Sequence, residues 1–410
     1  MRFNTALLHS SFSGDKGTGA TLVPIYNVNA YAQDSAEKLE RIFNNKASGY
    51  AYTRISNPTT ASFENRMTAL EHGLASITCC SGMAAVTMSL INLLEAGDEI
   101  VASSALYGGT LDLFEDLQDF GVTARYIKEA TPEALAEAVN EKTKAVFAEL
   151  IGNPKLNVVD LKTFSEAVHS YGIPLIVDNT TATPYLCNPI DLGADIVVHS
   201  TSKYINGSSN AIGGIIVDSG NFKWGNKHPA LSKYRQFGKF AYIAKLRNGI
   251  WRNVGTCVSP NTSFLNSLGL ETLGLRMERL CSNAQKLAEY LEKQDGIAVN
   301  YPGLASNPYY GLVQSQLSGK GGAILTIRTG SKERAFRLIN ALEYASIASN
   351  IGDVRTLVIH PSGTLFAHSD EAAKAEAGVF EDTIRISVGI EDIEDIISDF
   401  AQAIEKMEEE

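Results

Sequence analysis

The chain has 410 residues, of which 44% are hydrophobic and 20% are charged, enough for a large buried core and two or three folding units. Its 35 basic and 46 acidic residues give a net charge of −11, which argues against nucleic acid or an anionic membrane as a partner. The start MRFNTALLHSSF does not resemble a secretory signal, and no stretch has the roughly 20 consecutive apolar residues of a membrane span. We therefore expect a cytoplasmic protein.

The cysteines do not indicate a metal or redox site. They are odd in number and none shows C-x2-C spacing, at Cys79, Cys80, Cys187, Cys257 and Cys281. We expect reduced core cysteines and no metal.

The patterns along the chain predict three parts. Residues 1–60 are rich in Ser, Asn, Tyr and Pro with little periodicity, which indicates an extended N-terminal arm suited to embracing another subunit. Residues 61–255 alternate helical periods, such as 84–94, with short β-branched runs, at 99–102, 145–150, 174–178, 195–199 and 213–217. This alternation predicts an α/β domain with a mostly parallel sheet covered by helices on both faces.

Residues 256–410 are expected to form a smaller C-terminal α+β domain. The predicted elements after the loop 254–260 are a helical stretch at 261–294, strands near 322–328, a helix near 331–343 and a final helix at about 391–407. The acidic end, Glu408 to Glu410, is expected to fray into solvent.

A carboxylate ends the apolar run IPLIVD. Asp178 closes that run, which predicts the carboxyl end of a buried parallel strand, where ligands bind in open α/β sheets. A carboxylate there needs a cationic partner, and a protonated pyridine nitrogen would supply one. A helix N-cap explains Asp178 taken alone equally well.

The next apolar run, DIVVHS, leads into Thr201, Ser202 and Lys203. A lysine that forms a Schiff base must be neutral, and a semi-buried site beside a cationic cofactor lowers its pKa. The hydroxyls of Ser200 and Ser202 are suited to a phosphate, or else they merely close the strand. Together with Asp178, this pattern is a fairly specific signal for pyridoxal-5′-phosphate (PLP).

Two further segments suit such a cofactor. In CSGMA (80–84), Ser81 precedes a predicted helix, so Gly82 and Met83 lie where free N–H groups and the helix dipole attract a phosphate. A plain helix cap is about as common an explanation. Tyr107 is followed by two glycines, which leave room for a flat ring to stack on its face; simple loop packing is the alternative.

Several segments together resemble a known family. They are YAYTRISNPTT (50–60), CCSGMAA (79–85), ALYGGT (105–110), VDNTTATPY with VVHSTSKY (177–204), NYPGLASNPYY (300–310), NIGDVRTLVIHP (350–361) and IRISVGIED (384–392). The chain resembles the Cys/Met-metabolism family of PLP enzymes over essentially its whole length. The resemblance implies an aspartate-aminotransferase-like fold (fold type I) and PLP as the cofactor.

The resemblance also implies roles for individual residues. Lys203 is then the Schiff-base lysine, Asp178 pairs with the pyridine nitrogen, and Tyr107 stacks on the ring. Asn153 lies near the phenolic oxygen of the cofactor. The implied phosphate-binding residues are Ser81, Gly82, Met83, Ser200 and Ser202.

Other implied roles concern the substrate and a second subunit. Arg385 resembles the arginine that binds the substrate α-carboxylate, a task suited to a planar two-pronged donor, and Asn350 matches a neighbouring position. Tyr52 and Arg54 match a pair that completes the phosphate site of the adjacent subunit. The resemblance thus implies a homo-oligomer, a tetramer built from dimers that share active sites.

Within the family, residues 149–161 and 350–361 are most similar to the O-acetylhomoserine sulfhydrylases. This implies γ-replacement on O-acetyl-L-homoserine with sulfide or a small thiol, giving homocysteine or methionine plus acetate. Methionine γ-lyases typically have a cysteine where Gly109 stands, and its absence argues against that member of the family. The alternatives are a cystathionine γ-synthase, a methionine or cystathionine γ-lyase, and a non-enzymatic α/β binding protein, whose usual G-x-G-x-x-G fingerprint is missing.

The chain departs from the sulfhydrylase pattern in four places, one of which is the stretch after Trp224, which is shorter than in those enzymes. Thr-Ser-Lys (201–203) and Asn-Gly-Ser-Ser (206–209) stand where sulfhydrylases usually have Ala-Thr-Lys and Gly-His-Gly-Thr, and TLFAHSDEAA (364–373) replaces a Thr-Thr-His-Ser segment. A serine still supplies the hydroxyl for a phosphate. The resemblance therefore predicts the cofactor site more specifically than it predicts the acyl group of the substrate or the thiol that replaces it.

Overall fold

A computed structural model describes residues 1–10, 14–15 and 17–409; positions 11–13 and 16 of the arm and Glu410 of the acidic end lie outside the described residues. The α-helices α1 to α16 are Phe3–His9, Ala36–Phe43, Pro58–Leu70, Gly82–Ile91, Gly108–Asp116, Pro132–Ala138, Leu161–Ser170, Thr183–Leu186, Ala241–Asn248, Ile250–Val254, Pro260–Glu271, Leu273–Leu291, Tyr310–Gln316, Lys332–Ala341, Glu371–Glu376 and Ile393–Glu408. The strands β1 to β12 are Ala75–Cys79, Glu99–Ser103, Thr123–Ile127, Thr143–Glu149, Leu175–Asp178, Ile196–Ser200, Gly214–Asp218, Ala298–Asn300, Ile324–Arg328, Ser346–Ile347, Leu357–Ile359 and Thr383–Ser387. Helices of the 3₁₀ type occupy Leu117–Phe120, Pro189–Leu192 and Pro229–Phe240, the last of which is interrupted by a kink at Gly238.

The larger sheet has seven strands in the order β1-β7-β6-β5-β4-β2-β3. Only β7 runs antiparallel to its neighbours, so the mostly parallel α/β sheet predicted from the sequence is confirmed. Along the central strands, Val146 and Val177 point into one apolar cluster while Phe147 and Ile176 point into another. Because both faces are covered, these strands contain runs of consecutive apolar residues rather than apolar residues at alternate positions.

The smaller sheet has five strands in the order β10-β11-β12-β9-β8. Its pairs are antiparallel except β10 with β11. Leu325, Ile384 and Ile386 pack with Leu338 and Phe400 of α14 and α16 in a core of their own. The smaller α+β part of the predicted fold is therefore present.

Some elements differ from the predictions. Residues 1–60 carry the short helices α1 and α2, which the sequence did not indicate, since α2 has no buried residue. The edge strand β3, TARYI, was also missed, because only Ile127 of its five residues is buried. The helix expected at 261–294 is two helices, divided at Thr272, whose φ of −106° and ψ of 6° leave the helical region.

One buried arginine ties the loop after β6 to the helices of the C-terminal half. Arg276 on α12 donates to the carbonyl of Tyr204 at 2.5 Å and to that of Gly269 at 2.6 Å. Gly207 adopts a φ of +74°, and a Cβ there would lie 2.3 Å from Arg276 Nη1, so only glycine fits this close approach. The loop that carries Lys203 is thereby held in a fixed position.

Within the described ranges, no helix is long and apolar enough to cross a membrane. The carboxyl ends of β4, β5 and β6 lie side by side in the larger sheet, and the segment between β10 and β11 reaches them from the smaller part. Val354 of that segment donates its N–H to the carbonyl of Gly207 at 3.0 Å. The site described next lies where these parts meet.

Candidate active site

A cavity of about 410 Å³ lies at the carboxyl ends of the parallel strands. The structure brings to it all of the predicted site residues except Tyr52 and Arg54, namely Ser81, Gly82, Met83, Tyr107, Asn153, Asp178, Ser200, Ser202, Lys203, Asn350 and Arg385. Residues from both sheets therefore line one cavity.

One end of the cavity is rich in hydrogen-bond donors. Helix α4 begins at Gly82, and its N-cap Ser81 accepts from the N–H of Ala84 at 3.0 Å. A Cβ at Gly82 would lie 2.5 Å from Cβ of Ser200, so glycine is required for the helix start to approach the end of β6. The hydroxyl of Ser200 and the free N–H groups of α4 thus face the same space, which suits a phosphate.

Ser202 contributes a second hydroxyl to this end. Its Oγ accepts from the N–H of Gly213 at 3.0 Å and donates to the Gly213 carbonyl at 3.1 Å. These bonds fix the hydroxyl beside the strand end. A bound phosphate could accept from this hydroxyl only if the hydroxyl stopped donating to the Gly213 carbonyl, since a hydroxyl has one proton to donate.

Asp178 is the last residue of β5 and accepts from the N–H of Thr180 at 2.8 Å. The hydroxyl of Thr180 in turn accepts from the N–H of Ser200 at 2.8 Å, which ties the ends of β5 and β6 together. Burial raises the pKa of Asp178, while the hydrogen bonds from Thr180 and the charge of His199 oppose that rise. A cation in the cavity would favour the ionised carboxylate further.

Tyr107 stands at the N-terminus of α5, with 40% of its surface exposed. A Cβ at Gly109 would lie 2.7 Å from Cε1 of its ring, so the glycine after Tyr-Gly lets the ring lie over the backbone. The backbone N–H of Tyr107 donates to Glu149 Oε1 at 2.5 Å. The carboxyl group of Glu149 therefore holds the start of this loop.

Glu149 was not identified from the sequence. It is the last residue of β4 and only 7% exposed, and it lines the cavity. Burial and, next, the charge of Asp178 raise its pKa well above the usual range. The signal that drew attention to Asp178, a carboxylate at the end of an apolar run, was equally present in AVFAEL (145–150).

Lys203 lies three residues beyond β6 and donates from Nζ to Asn350 Oδ1 at 2.6 Å. Burial, with a smaller contribution from the charge of Arg385, lowers the pKa of this lysine to about 8. At pH 7 about a tenth of the lysine is then neutral, far more than for an exposed lysine. The amine is suited to nucleophilic attack and to proton transfer.

Arg385 is buried in β12, with 3% of its surface exposed. Its Nη1 donates to Asn153 Oδ1 at 3.2 Å and its Nη2 to the Asn350 carbonyl at 3.0 Å, whereas its buried Nε has no partner. Burial lowers the pKa of Arg385 to about 10. A buried guanidinium that lines the cavity suits a carboxylate ligand.

Tyr52 and Arg54 lie away from this cavity and are exposed. The guanidinium carbon of Arg54 is 5.3 Å from the centre of the Tyr52 ring, and Nη1 donates to the Arg252 carbonyl at 2.9 Å. The two side chains form one exposed unit. Among the residues that the structure describes, no group of three or more His, Cys, Asp or Glu could hold a metal ion.

Comparisons with known proteins agree with this geometry. The family model described as Cys/Met metabolism PLP-dependent enzyme matches residues 4–405. Homocysteine synthase of Schizosaccharomyces pombe is 42% identical, over 98% of both chains. O-acetyl-L-homoserine sulfhydrylase of Leptospira meyeri is 39% identical, over 98% of this chain and 96% of that protein.

Solved structures are similar over the same extent. A putative O-acetylhomoserine (thiol)-lyase from Campylobacter jejuni, which carries N′-pyridoxyl-lysine-5′-monophosphate, superposes with a TM-score of 0.92 at 32% identity and covers 99% of this chain and 100% of that one. Cystathionine γ-lyase from Lactobacillus plantarum superposes with a TM-score of 0.87 at 31% identity, over 99% of each chain.

Proposed function

The chain belongs to the Cys/Met metabolism family of PLP-dependent enzymes, and from this membership we propose that it replaces the γ-acetoxy group of O-acetyl-L-homoserine with sulfide. The products are L-homocysteine and acetate. The observation that carries the proposal is one cavity in which Lys203, Asp178 and Arg385 meet a phosphate-binding helix start. Curated relatives of nearly equal length that bear the names homocysteine synthase and O-acetyl-L-homoserine sulfhydrylase support this reaction over others of the family.

The residues of the cavity fit PLP at each of its polar groups. Gly82, Met83 and the hydroxyls of Ser200 and Ser202 would hold the phosphate, with Ser81 capping the helix. This fit rests on the approach of α4 to β6, since a Cβ at Gly82 would fill the space between them.

Four further residues would hold the ring and the reactive carbon. Asp178 would pair with the pyridine nitrogen, Tyr107 would lie on the ring face, and Asn153 would lie near the phenolic oxygen. Lys203 would attach the cofactor through its amine. When bound, PLP supplies an electron-withdrawing ring that stabilises negative charge at the substrate Cα.

Lys203 is proposed to move the protons of the reaction. Its amine has a pKa of about 8 because of burial, so the free amine takes a proton from Cα near neutral pH and the ammonium returns one later. Asn350 Oδ1 holds the nitrogen of Lys203 in place.

Arg385 is proposed to orient the substrate. Its guanidinium lines the cavity and would bind the α-carboxylate through charge-assisted hydrogen bonds. With the carboxylate fixed, the Cα–H bond is held at one orientation to Lys203. The net reaction breaks the Cγ–O bond, forms a Cγ–S bond and releases acetate.

The experiment that tests this function is a substrate panel with products identified by mass. O-acetyl-, O-succinyl- and O-phosphohomoserine, cystathionine and methionine are each offered with and without sulfide or methanethiol. Homocysteine and acetate from O-acetylhomoserine, formed only with sulfide, support the proposal. 2-Oxobutanoate formed without sulfide as the main product would instead identify a γ-lyase.

We also propose that the protein works in the cytoplasm as a tetramer built from two dimers. Tyr52 and Arg54 are exposed and do not line the cavity of their own chain, and a second copy would use them at its phosphate. The cysteines are free in the described chain, which fits a reducing compartment.

A further inference from the structure

Ser209 has an unusual backbone conformation beside the active site. Its φ is +53°, in the left-handed region that a serine rarely adopts and that carries a cost in strain. It belongs to the Asn-Gly-Ser-Ser segment (206–209) that departs from the usual sulfhydrylase pattern. Ser209 also lines the cavity, so the strained conformation brings its hydroxyl to the site.

That hydroxyl joins a line of four hydrogen-bonded side chains. Ser209 Oγ donates to Asp353 Oδ2. Asn350 Nδ2 donates to Ser209 Oγ at 2.8 Å, and Lys203 Nζ donates to Asn350 Oδ1 at 2.6 Å. The line thus runs from a carboxylate to the lysine amine.

The carboxylate sets the direction of every bond in this line. Asp353 is 5% exposed and lies 3.7 Å from Arg355 Nη1, and an ionised carboxylate can only accept. The hydroxyl of Ser209 therefore donates its one proton to Asp353 and can only accept from Asn350. The amide of Asn350 is then obliged to turn its NH₂ toward Ser209 and its oxygen toward Lys203.

The orientation of this amide matters for the chemistry of Lys203. An amide oxygen accepts an N–H of the lysine and leaves the lone pair of the neutral amine free. A reversed amide would donate its own N–H to that lone pair and occupy it. The Lys203 amine reacts only through the lone pair.

We propose that Ser209 and Asp353 are positioning residues that hold the oxygen of Asn350 toward Lys203, so that the lone pair of the neutral lysine stays free to react. The proposal rests on the role given above to Lys203, but it concerns how the amine is prepared rather than which substrate the enzyme takes. Ser209 is exposed, so water replaces part of the lost bond and the effect of its removal is moderate.

The test uses the purified full-length apoprotein and PLP alone. Ser209→Gly removes the hydroxyl, and glycine accepts the positive φ without strain, so the loop keeps its shape. Ser208→Gly is the matched control, because Ser208 is its exposed neighbour and lies outside the line of hydrogen bonds. The rate of lysine condensation with PLP is followed by visible absorbance from pH 6.5 to 9.5.

We expect Ser209→Gly to lower the rate of condensation at the high-pH plateau about three- to tenfold, which is the effect expected from the loss of one hydrogen bond. The inflection of the profile of rate against pH should also move to lower pH. The ammonium form of Lys203 loses an acceptor that was held in position, so the pKa of the lysine falls. The other titratable groups that line the cavity, Arg385, Asp178, Glu149 and Tyr107, are unchanged in these variants. Ser208→Gly should follow the wild-type profile.

A second variant tests whether the two residues act together. Asp353→Asn can donate to Ser209 and so reverse the line, and it should reproduce the Ser209→Gly profile. The double variant should be no slower than the slower single variant, since both break one line. Additive losses would overturn the proposal.

Three further outcomes distinguish a failure of this proposal from a failure of the proposed function. A wild-type profile for Ser209→Gly, or equal slowing by Ser208→Gly, overturns the positioning role. Lys203→Ala should not condense with PLP at all. Condensation in that variant would remove Lys203 from the cofactor and with it the proposed function, whatever the serine variants do.

Discussion

Glu149 and Asp178 pair in register at the ends of the neighbouring parallel strands β4 and β5, so two carboxylates stand side by side at one wall of the cavity. Burial and, next, the charge of Asp178 raise the pKa of Glu149 well above its usual range, against hydrogen bonds from the N–H groups of Tyr107 and Asn153. Burial also raises the pKa of Asp178, but hydrogen bonds from Thr180 and the charge of His199 oppose that rise. We infer that Glu149 carries the proton when only one of the two is ionised.

The first prediction concerns Glu149→Gln and stability. A carboxyl whose folded pKa is raised contributes stability that is fully present below the unfolded pKa and is lost as pH rises through the folded value. Glutamine does not titrate and keeps an oxygen for the Tyr107 N–H. As the pH rises from 5 to 9, the free energy of unfolding of the variant apoprotein should increase relative to that of the wild type by about 1 kcal/mol or more. One pKa unit corresponds to about 1.4 kcal/mol.

Urea unfolding midpoints at each pH measure this gain. Glu137→Gln is the control for the substitution itself, because Glu137 is exposed on α6. A difference between Glu149→Gln and the wild type that does not change with pH would contradict the assignment of the proton.

The second prediction concerns Asp178→Asn. Asparagine can still touch the ring nitrogen of PLP but cannot hold it protonated. Turnover of O-acetylhomoserine should fall at least ~100-fold, as expected when a charged group that stabilises developing charge is removed, while the Kd for PLP rises by less than about tenfold. Equilibrium dialysis and steady-state kinetics give the two values. Near-normal turnover would remove Asp178 from the ring nitrogen.

The third prediction concerns Arg385→Lys. Lysine keeps the charge but not the planar fork, so it loses a bidentate contact to the α-carboxylate worth about 1.5–3 kcal/mol. KM for the amino-acid substrate should rise about ten- to a hundredfold with a smaller change in the Kd for PLP. Arg328→Lys on β9 is the control, since Arg328 faces outward to Asp382. Equal KM values for the two variants would place the carboxylate elsewhere.

The fourth prediction concerns the shared site. In the proposed shared site, Arg54→Ala would remove a charge-assisted contact to the phosphate of the neighbouring copy and Lys203→Ala would remove the reacting amine, so each protein alone should be inactive or nearly so. Mixing them under conditions that exchange subunits should restore activity, because some interfaces unite an intact Lys203 with an intact Arg54.

The control for this mixing uses the double variant Arg54→Ala, Lys203→Ala together with Lys203→Ala. That mixture holds no intact lysine and should stay inactive. If native mass spectrometry demonstrates exchange and the first mixture also stays inactive, the two residues do not act across a subunit boundary.

The sequence was informative where burial imposes a pattern on consecutive residues. The central strands contain runs of consecutive apolar residues, and the polar side chains that end β5 and β6, Asp178 and Ser200, stand out for that reason. The edge strand 123–127 and helix Ala36–Phe43 bury few side chains or none, so no pattern marked them.

The finer parts of the site depend on contacts between distant segments. Ser209 forms hydrogen bonds with Asp353 and Asn350, which are 144 and 141 positions away in the chain, and no local sequence pattern predicts those partners. The left-handed backbone of Ser209 is also not predicted by the sequence Asn-Gly-Ser-Ser. Glu149, in contrast, ends an apolar run as Asp178 does, so the same rule applied once more would have found it.

The attachment of PLP to Lys203 is the central claim, and borohydride reduction of the holoenzyme tests it most directly. Reduction converts the lysine-bound cofactor to a stable adduct, and peptide mapping by mass spectrometry then locates it. We predict a single cofactor-labelled peptide that contains Lys203, and no labelled peptide after reduction of Lys203→Ala. A labelled peptide centred on any other lysine, in the wild type or in the variant at equal yield, would contradict the account.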